Sequence, residues 1–350
     1  MNTMFCLVSR QSMANVIPVL MFKPQNVVLF ATPEEHKSAD FLQNLFKSKS
    51  MNVKRINGLN AYDYLNFKKV VSNLLEQTNG DVWLNVTGGT KLMALAAYEA
   101  FAEKNKTIIY CDTIHENIIY LYPVNKVEKI QAHITIKDYL LSYGFKIVET
   151  RDINQIKKFY DLFNYIDSNN LMNSFIKFNN TIREKFNNSQ PRYTVYSPDR
   201  KFRFIKDLSD FFIEYGYPIP NNKRIKLSSN EYQHGKWLEF YAFYIYEQKL
   251  NLNPLSGVKI VNYDGIENEI DLVFLKDYKL HLVSCKSGKK DNQYDLFQLE
   301  TLRNITSGTF GKGIFITAKK PTEKFLNRAR NLGIEVRIVS DLMLSNGLKN

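Results

Sequence analysis

Asp271, Ser284, Cys285, Lys286 and Glu300 follow one another with spacings that suit a reaction: Lys286 lies fifteen residues after Asp271 and fourteen before Glu300. Residues 268–275 and 279–286 have strand composition on either side of a polar turn, so a hairpin is expected to set Asp271 and Lys286 on neighbouring strands. Magnesium and manganese bind oxygen ligands. Asp271 offers one carboxylate, Glu300 a second from the next helix, and the Cys285 backbone carbonyl a further oxygen. Glu239, on the preceding helix, is placed to hold a metal-bound water or a second ion. Ser284 contributes only a neutral hydroxyl. A metal of this kind acidifies a bound water and shields a phosphate, while Lys286 orients the nucleophile and stabilises developing negative charge. That is the chemistry of a metal-dependent phosphodiesterase. Each residue also has a plainer reading: Asp271 beside Glu269 as strand-edge charge, Lys286 as a solvated strand end, Glu300 as surface, Glu239 as partner to a base. If Glu300 does not complete the site, Glu239 or Glu269 is the alternative acid.

A second turn suggests anion binding. Val86-Thr87-Gly88-Gly89-Thr90-Lys91 joins an apolar run to the helical pattern at 92–98. Glycines allow close backbone approach, the helix start presents free N–H groups, and two hydroxyls and a lysine complete a phosphate cradle. The spacing is neither a Walker A loop nor a dinucleotide-binding fingerprint. A plain tight turn is the competing reading.

The elements that must position these groups divide the chain in three. Residues 1–135 alternate apolar runs (5–8, 27–31, 82–86, 107–110, 118–121) with helical patterns after Pro33 and over 62–75. Apolar strands separated by helices imply an α/β layer with a mainly parallel sheet covered on both faces, whose ligands bind at the carboxyl ends of the strands. Residues 136–228 read as a mainly helical connector, with a short helix at 136–144 closed by glycine, further helices at 153–167 and 171–186, and loops at 187–191 and 218–222. This part holds more lysine and arginine than acid, and its basic face with interleaved aromatics suits either nucleic acid or a solvated scaffold. Residues 229–350 form a second α/β unit: a helix from Gly235, strands near 257–263, 270–275 and 279–286, a helix over 293–304, a strand at 313–317, a helix at 322–331 and a strand at 334–339.

The 350 residues carry a formal charge of +12 and are 44% hydrophobic, which fits packed cores and a polyanionic partner. The three cysteines, Cys6, Cys111 and Cys285, lie in apolar runs without C-x-x-C spacing, so buried thiols and a reducing compartment are expected. The five histidines are scattered. No run has the length of a membrane span, and a cytoplasmic protein without a membrane partner is expected.

At these residues the chain resembles a known family. Asp271, Ser284-x-Lys286 and Glu300 resemble the PD-(D/E)xK restriction-endonuclease-like superfamily, in the variant whose second acid has moved to the next helix; Ser284 stands where the pattern has an acid. The segments 8–15 and 85–91 resemble the CARF domain, a Rossmann-like sensor of cyclic oligoadenylates. Together they are similar to the single-CARF nucleases of type III CRISPR systems across nearly the whole chain. The resemblance implies a homodimer that binds one cyclic tetra-adenylate across its two-fold axis, through Ser9, Arg10, Gln11, Asn15, Thr32, Thr87, Gly88, Gly89, Thr90 and Lys91. It implies a nuclease activated by that ligand, acting with manganese or magnesium on single-stranded RNA and DNA, or nicking duplex DNA, in antiviral defence. Two other functions stay open at this point: a ligand-responsive nucleic-acid-binding regulator with an inactive nuclease unit, and a sensor that itself degrades the cyclic ligand.

Overall fold

Five short runs of β-branched and aromatic residues, Thr3–Leu7 (β1), Asn26–Phe30 (β2), Asn52–Ile56 (β3), Val82–Asn85 (β4) and Ile108–Asp112 (β5), pair in parallel. Asn117–Tyr122 (β6) and Lys126–Lys129 (β7) add an antiparallel meander, giving a seven-stranded sheet in the order β3-β2-β1-β4-β5-β6-β7. The computed structural model describes residues 1–157, 159–173, 175–177, 236–288 and 292–342, with the backbone of two more strands that pair with each other, Arg192–Tyr196 (β9) and Arg224–Ser228 (β10). Helices Met13–Phe22 (α1), His36–Ser48 (α2), Tyr64–Glu76 (α3) and Lys91–Glu103 (α4) are the crossovers. The strand order reverses between β1 and β4, so the turns leaving these two strands lie side by side at the carboxyl edge, where open sheets bind ligands. β3 escapes a search for apolar runs because it is an edge strand, exposed or half-buried at all five of its positions.

The C-terminal sheet contains six strands in the order β15-β14-β13-β12-β11-β8. These are Phe145–Glu149 (β8), Leu255–Asn262 (β11), Glu267–Lys276 (β12), Lys279–Lys286 (β13), Lys312–Thr317 (β14) and Ile334–Ile338 (β15). β12 and β13 form the expected hairpin, turned by Asp277 and Tyr278, both at positive φ as a two-residue hairpin turn requires. Strands depart from the mainly helical connector expected over 136–228: β9 and β10 lie within it, and so does a third. Phe145–Glu149 is a strand, pairing antiparallel with β11 at the edge of this sheet. Its one fully buried side chain, Phe145, gives too little apolar signal to mark a strand. Helices Ile153–Lys157 (α6) and Tyr160–Ser168 (α7) then pack, through Ile156, Leu162 and Phe163, with Lys236–Tyr244 (α8) against Leu272, Val283 and Ile316. The other face is covered by Gln293–Ser307 (α9) and Glu323–Asn331 (α10), through Leu296, Leu299 and Phe325. The loops expected at 187–191 and 218–222, and most of the helix expected over 171–186, lie outside the described residues. So do most side chains of the basic face.

Ile136–Ser142 (α5) joins the two sheets. Tyr139 and Leu140 belong to one buried cluster that reaches Ile17 and Leu42 on one side and Leu282 and Leu296 on the other. Its start is a capping box: Thr135 Oγ1 accepts from the Asp138 amide at 3.1 Å, and Asp138 accepts from the Thr135 amide at 3.2 Å. Asp138 also pairs with Lys49 at the end of α2, at 2.7 Å. The three cysteines are buried free thiols. Among the described residues no helix is long and apolar enough to cross a membrane.

Burial pushes the Asp138 carboxyl up, but Lys49 and Thr135 outweigh it and hold it below the usual range. A carboxyl lowered by folding adds stability above its unfolded pKa and loses it as pH falls through the folded one. Asp138→Asn is therefore expected to cost about 2 kcal/mol in urea unfolding at neutral pH. The difference from wild type should shrink as the medium is acidified; a constant difference would contradict the ion-pair account.

Candidate active site and sensor loops

Where β12 and β13 part, the ladder gives way to a side chain. The paired register ends at Leu272 and Val283. One residue further on, Asp271 Oδ2 accepts from the Cys285 amide at 2.7 Å and from Ser284 Oγ at 3.4 Å. Burial raises the Asp271 carboxyl above its ordinary range, against the lowering effects of the Cys285 N–H and the Lys286 charge. Lys286, the last residue of β13, is exposed. Asp271, Ser284 and Lys286 line one cavity of about 560 Å³, walled on its far side by α9. The hairpin expected from the sequence thus brings Asp271, Ser284, Cys285 and Lys286 together.

Glu239 stands elsewhere in the electrostatic scheme. It is on α8, and its carboxyl is raised first by burial and next by the charge of Asp271. Its carboxylate receives a hydrogen bond from Arg151 Nη1 at 2.8 Å, in a pair whose side chains are only 9% and 14% exposed. Arg151 also donates to Ser256 Oγ at 3.0 Å, and its guanidinium lies 5.1 Å from the centre of the Phe240 ring. The sequence expectation was a metal-bound water or a second ion, with pairing to a base as the plainer reading; in the structure Glu239 pairs with Arg151. Nothing in the sequence singled out Arg151, which sits 88 residues from Glu239 in a basic-rich segment.

Glu300 is not among the cavity residues. The wall of α9 presents Tyr294, Phe297, Gln298 and Thr301, and Glu300 lies about 200° round the helix from Gln298. The sequence pattern names the helix that carries Glu300 but not the face it presents. Among the described residues no three His, Cys, Asp or Glu side chains gather as a metal cage. The expected joint grip of Asp271, Glu300 and Glu239 is therefore not assembled. What remains is a looser donor set: the Asp271 carboxylate with Ser284 and Cys285 beside it, and Glu269, the alternative acid, lining the same cavity. That fits magnesium, which keeps several waters and binds through one or two carboxylates plus substrate phosphates.

The sensor loops are built from the ends of β1 and β4. A Cβ on Gly88 would stand 2.1 Å from the Leu7 carbonyl oxygen, and Gly89 has φ +74°, so both positions require glycine. Asn15 and Asn85 are fully buried. Asn15 Nδ2 donates to the Leu7 carbonyl and its Oδ1 accepts from Asn85; Thr87 Oγ1 donates to Asn85 Oδ1 and accepts from the Cys111 amide. Asn15 and Thr87 were expected to contact ligand; in the structure their hydrogen bonds brace the loops. Thr90 caps α4 and donates to the Ala61 carbonyl. Thr32 is buried, and the carboxyl of nearby Glu34 is lowered by its hydroxyl. Arg10 is 86% exposed beside Glu35, Ser9 is half-buried, and Lys91 opens α4 in an exposed position. Gln11 is half-buried, and its carboxamide packs against Gly308, just past the end of α9.

The Arg151–Glu239 pair generates a stability test. Removing one partner of a buried ion pair leaves the other charge uncompensated. Arg151→Ala should lower unfolding free energy by about 3 kcal/mol. Arg151→Lys should recover only part, because an ammonium loses the planar guanidinium's contact with the Phe240 ring. Equal urea midpoints for wild type and Arg151→Ala would contradict the pairing.

Comparison with known proteins matches this layout. The family profile of the Card1 CARF domain matches residues 3–139, and that of the Card1-like endonuclease domain matches residues 228–346. The chain is similar to the structure of Can2 from Sulfobacillus thermosulfidooxidans in complex with cyclic tetra-adenylate, with 27% identity and a TM-score of 0.78 over 100% of this chain and 99% of that one. Two further structures share the fold. VC1899 from Vibrio cholerae has 18% identity and a TM-score of 0.78, covering 97% of this chain and 95% of that one. A type III CRISPR defence DNA nuclease activated by cyclic oligoadenylate has 16% identity and a TM-score of 0.60, covering 99% of this chain but 52% of that one. A search of curated proteins gives no match. With a sensor fold at one end and the Asp271–Lys286 cavity at the other, the chain belongs to the CARF nucleases of the Card1 type, in which one CARF domain is joined to an endonuclease domain.

Proposed function

We propose that the chain is an endonuclease that cuts nucleic acid with magnesium or manganese once cyclic tetra-adenylate occupies its sensor loops, in type III CRISPR antiviral defence in the cytoplasm. The observation that carries this reading is the meeting of Asp271 and Lys286 in one cavity of the domain that matches the endonuclease family. Asp271 holds the metal through the oxygen not engaged by Ser284 and Cys285, with the Cys285 carbonyl as a neighbouring ligand. The bound ion supplies an acidified water and neutralises phosphate charge. Lys286 orients the attacking water and stabilises the negative charge that grows on the phosphoryl oxygens. Substrates are single-stranded RNA and DNA, with nicking of duplex DNA.

At the other end, Lys91, Arg10 and the exposed N–H groups at the start of α4 offer positive potential to the phosphates of the ring. A ring with two-fold symmetry suits two copies of the chain, each presenting the same loops. Exposed Leu95 on α4, at 59%, gives the homodimer an apolar contact close to those loops. Activation follows only if the ligand binds the competent arrangement more tightly than the resting one.

One observation favours a second reading, a ligand-responsive nucleic-acid-binding regulator: Ser284 supplies no charge, and among the described residues no three His, Cys, Asp or Glu side chains gather as a metal cage. A paired test separates the two. Lys286→Ala should bind cyclic tetra-adenylate like wild type by calorimetry, yet lose on the order of 100-fold or more in cleavage of labelled single strands with manganese. Lys91→Ala should bind the activator about tenfold more weakly and cut normally once saturated. Wild-type cleavage by Lys286→Ala would contradict the proposal, and duplex binding without any cutting by wild type would favour the regulator.

A further inference from the structure

Two aromatic side chains in the cavity wall have no part in the chemistry so far described. Tyr294 and Phe297, early on α9, are 63% and 40% exposed, and both line the cavity that holds Asp271 and Lys286. The helix already buries Leu296 and Leu299 against the sheet, and Leu299 also lines the inner part of the cavity wall. Tyr294 and Phe297 are therefore surplus to the core and are presented to the cavity. Apolar rings held open to solvent at a cavity with a few charged groups mark a binding surface. The guanidinium of Arg328 stands 5.7 Å from the centre of the Phe297 ring, which sets a cation beside the aromatic surface.

The chemistry of the cavity selects its occupant. Glu267, Glu269 and Asp295 also line it. Carboxylates repel a phosphate backbone, so the attraction that usually dominates nucleic-acid binding is weakened here. Stacking remains, because every base has a π-face. A volume of about 560 Å³ is that of a pocket for one small ligand, not for a duplex. A paired base has both faces covered by its neighbours and cannot lie on a ring. We propose that Tyr294 and Phe297 form a stacking platform that takes an unpaired base beside the phosphate to be cut, and so select single strands at this site. The inference rests on the nuclease reading and names the residues that would set its substrate preference.

The test uses the full chain with cyclic tetra-adenylate and a single-stranded oligonucleotide carrying 2-aminopurine. Wild type should quench the probe. Tyr294→Ala and Phe297→Ala should each weaken its binding roughly 5- to 100-fold and lower the ratio of single-strand to duplex cleavage. Both side chains are exposed, so the variants should melt like wild type. Tyr294→Phe and Phe297→Tyr should restore binding and quenching. Alanine variants that bind, quench and cut like an active wild type would overturn the platform while leaving the nuclease reading intact. A wild type that neither binds nor cuts nucleic acid would overturn both. An alanine pair that turns a dimer into a monomer without changing quenching would assign the patch to a second copy and overturn the platform.

Discussion

One hydrogen bond organises the C-terminal half of this protein: the Cys285 amide donates to Asp271 where a strand carbonyl would otherwise accept. Burying a carboxylate is unfavourable unless it is hydrogen-bonded. Asp271 meets that condition by taking an N–H from the end of β13. The exchange ends the β12–β13 ladder, and the parted strands leave the cavity into which Lys286 and Ser284 face. The carboxyl nevertheless sits above its ordinary range. A site that keeps a partly desolvated acid beside an exposed lysine is held at some cost to stability, as functional sites commonly are.

Around that bond the charges are arranged in pairs. Arg151 neutralises Glu239 on the α8 side of the sheet, while Asp271 lines the cavity with Lys286. The sensor loops reach this half of the molecule by contact. Ser12, in the turn after β1, donates to the Ser142 carbonyl at the end of α5 at 2.6 Å. Gln11 of the same turn lies against Gly308, beyond the end of the helix that walls the cavity. Its Oε1 is buried without a hydrogen-bond partner among the described residues. The turn that approaches the ligand edge of one sheet is thus the turn that touches the other domain.

The sequence was most legible where periodicity and chemistry coincide. The apolar runs named the central strands of both sheets, and the strand–turn–strand pattern put Asp271 and Lys286 on one hairpin. The two glycines of the turn after β4 were correctly taken as a sign of close backbone approach, although the close neighbour is the Leu7 carbonyl. Edge strands were illegible: β3 and β8 mix charged and apolar residues because only one side of each is covered. The face of a helix was illegible too, which is why Glu300 was expected in a cavity that Tyr294 and Phe297 line instead. Long-range pairing was beyond reach, since Arg151 meets Glu239 only through the packing of α8 against β11. Asn15 and Thr87 had the right chemistry for ligand contact, but their hydrogen bonds are spent inside the loops.

The most direct measurement is anomalous diffraction at the manganese edge from crystals grown with cyclic tetra-adenylate and soaked in manganese. The account predicts a peak at the Asp271 carboxylate, within the cavity shared with Lys286, and no peak at Glu300. A peak at Glu300 or at the Arg151–Glu239 pair, with none at Asp271, would contradict it.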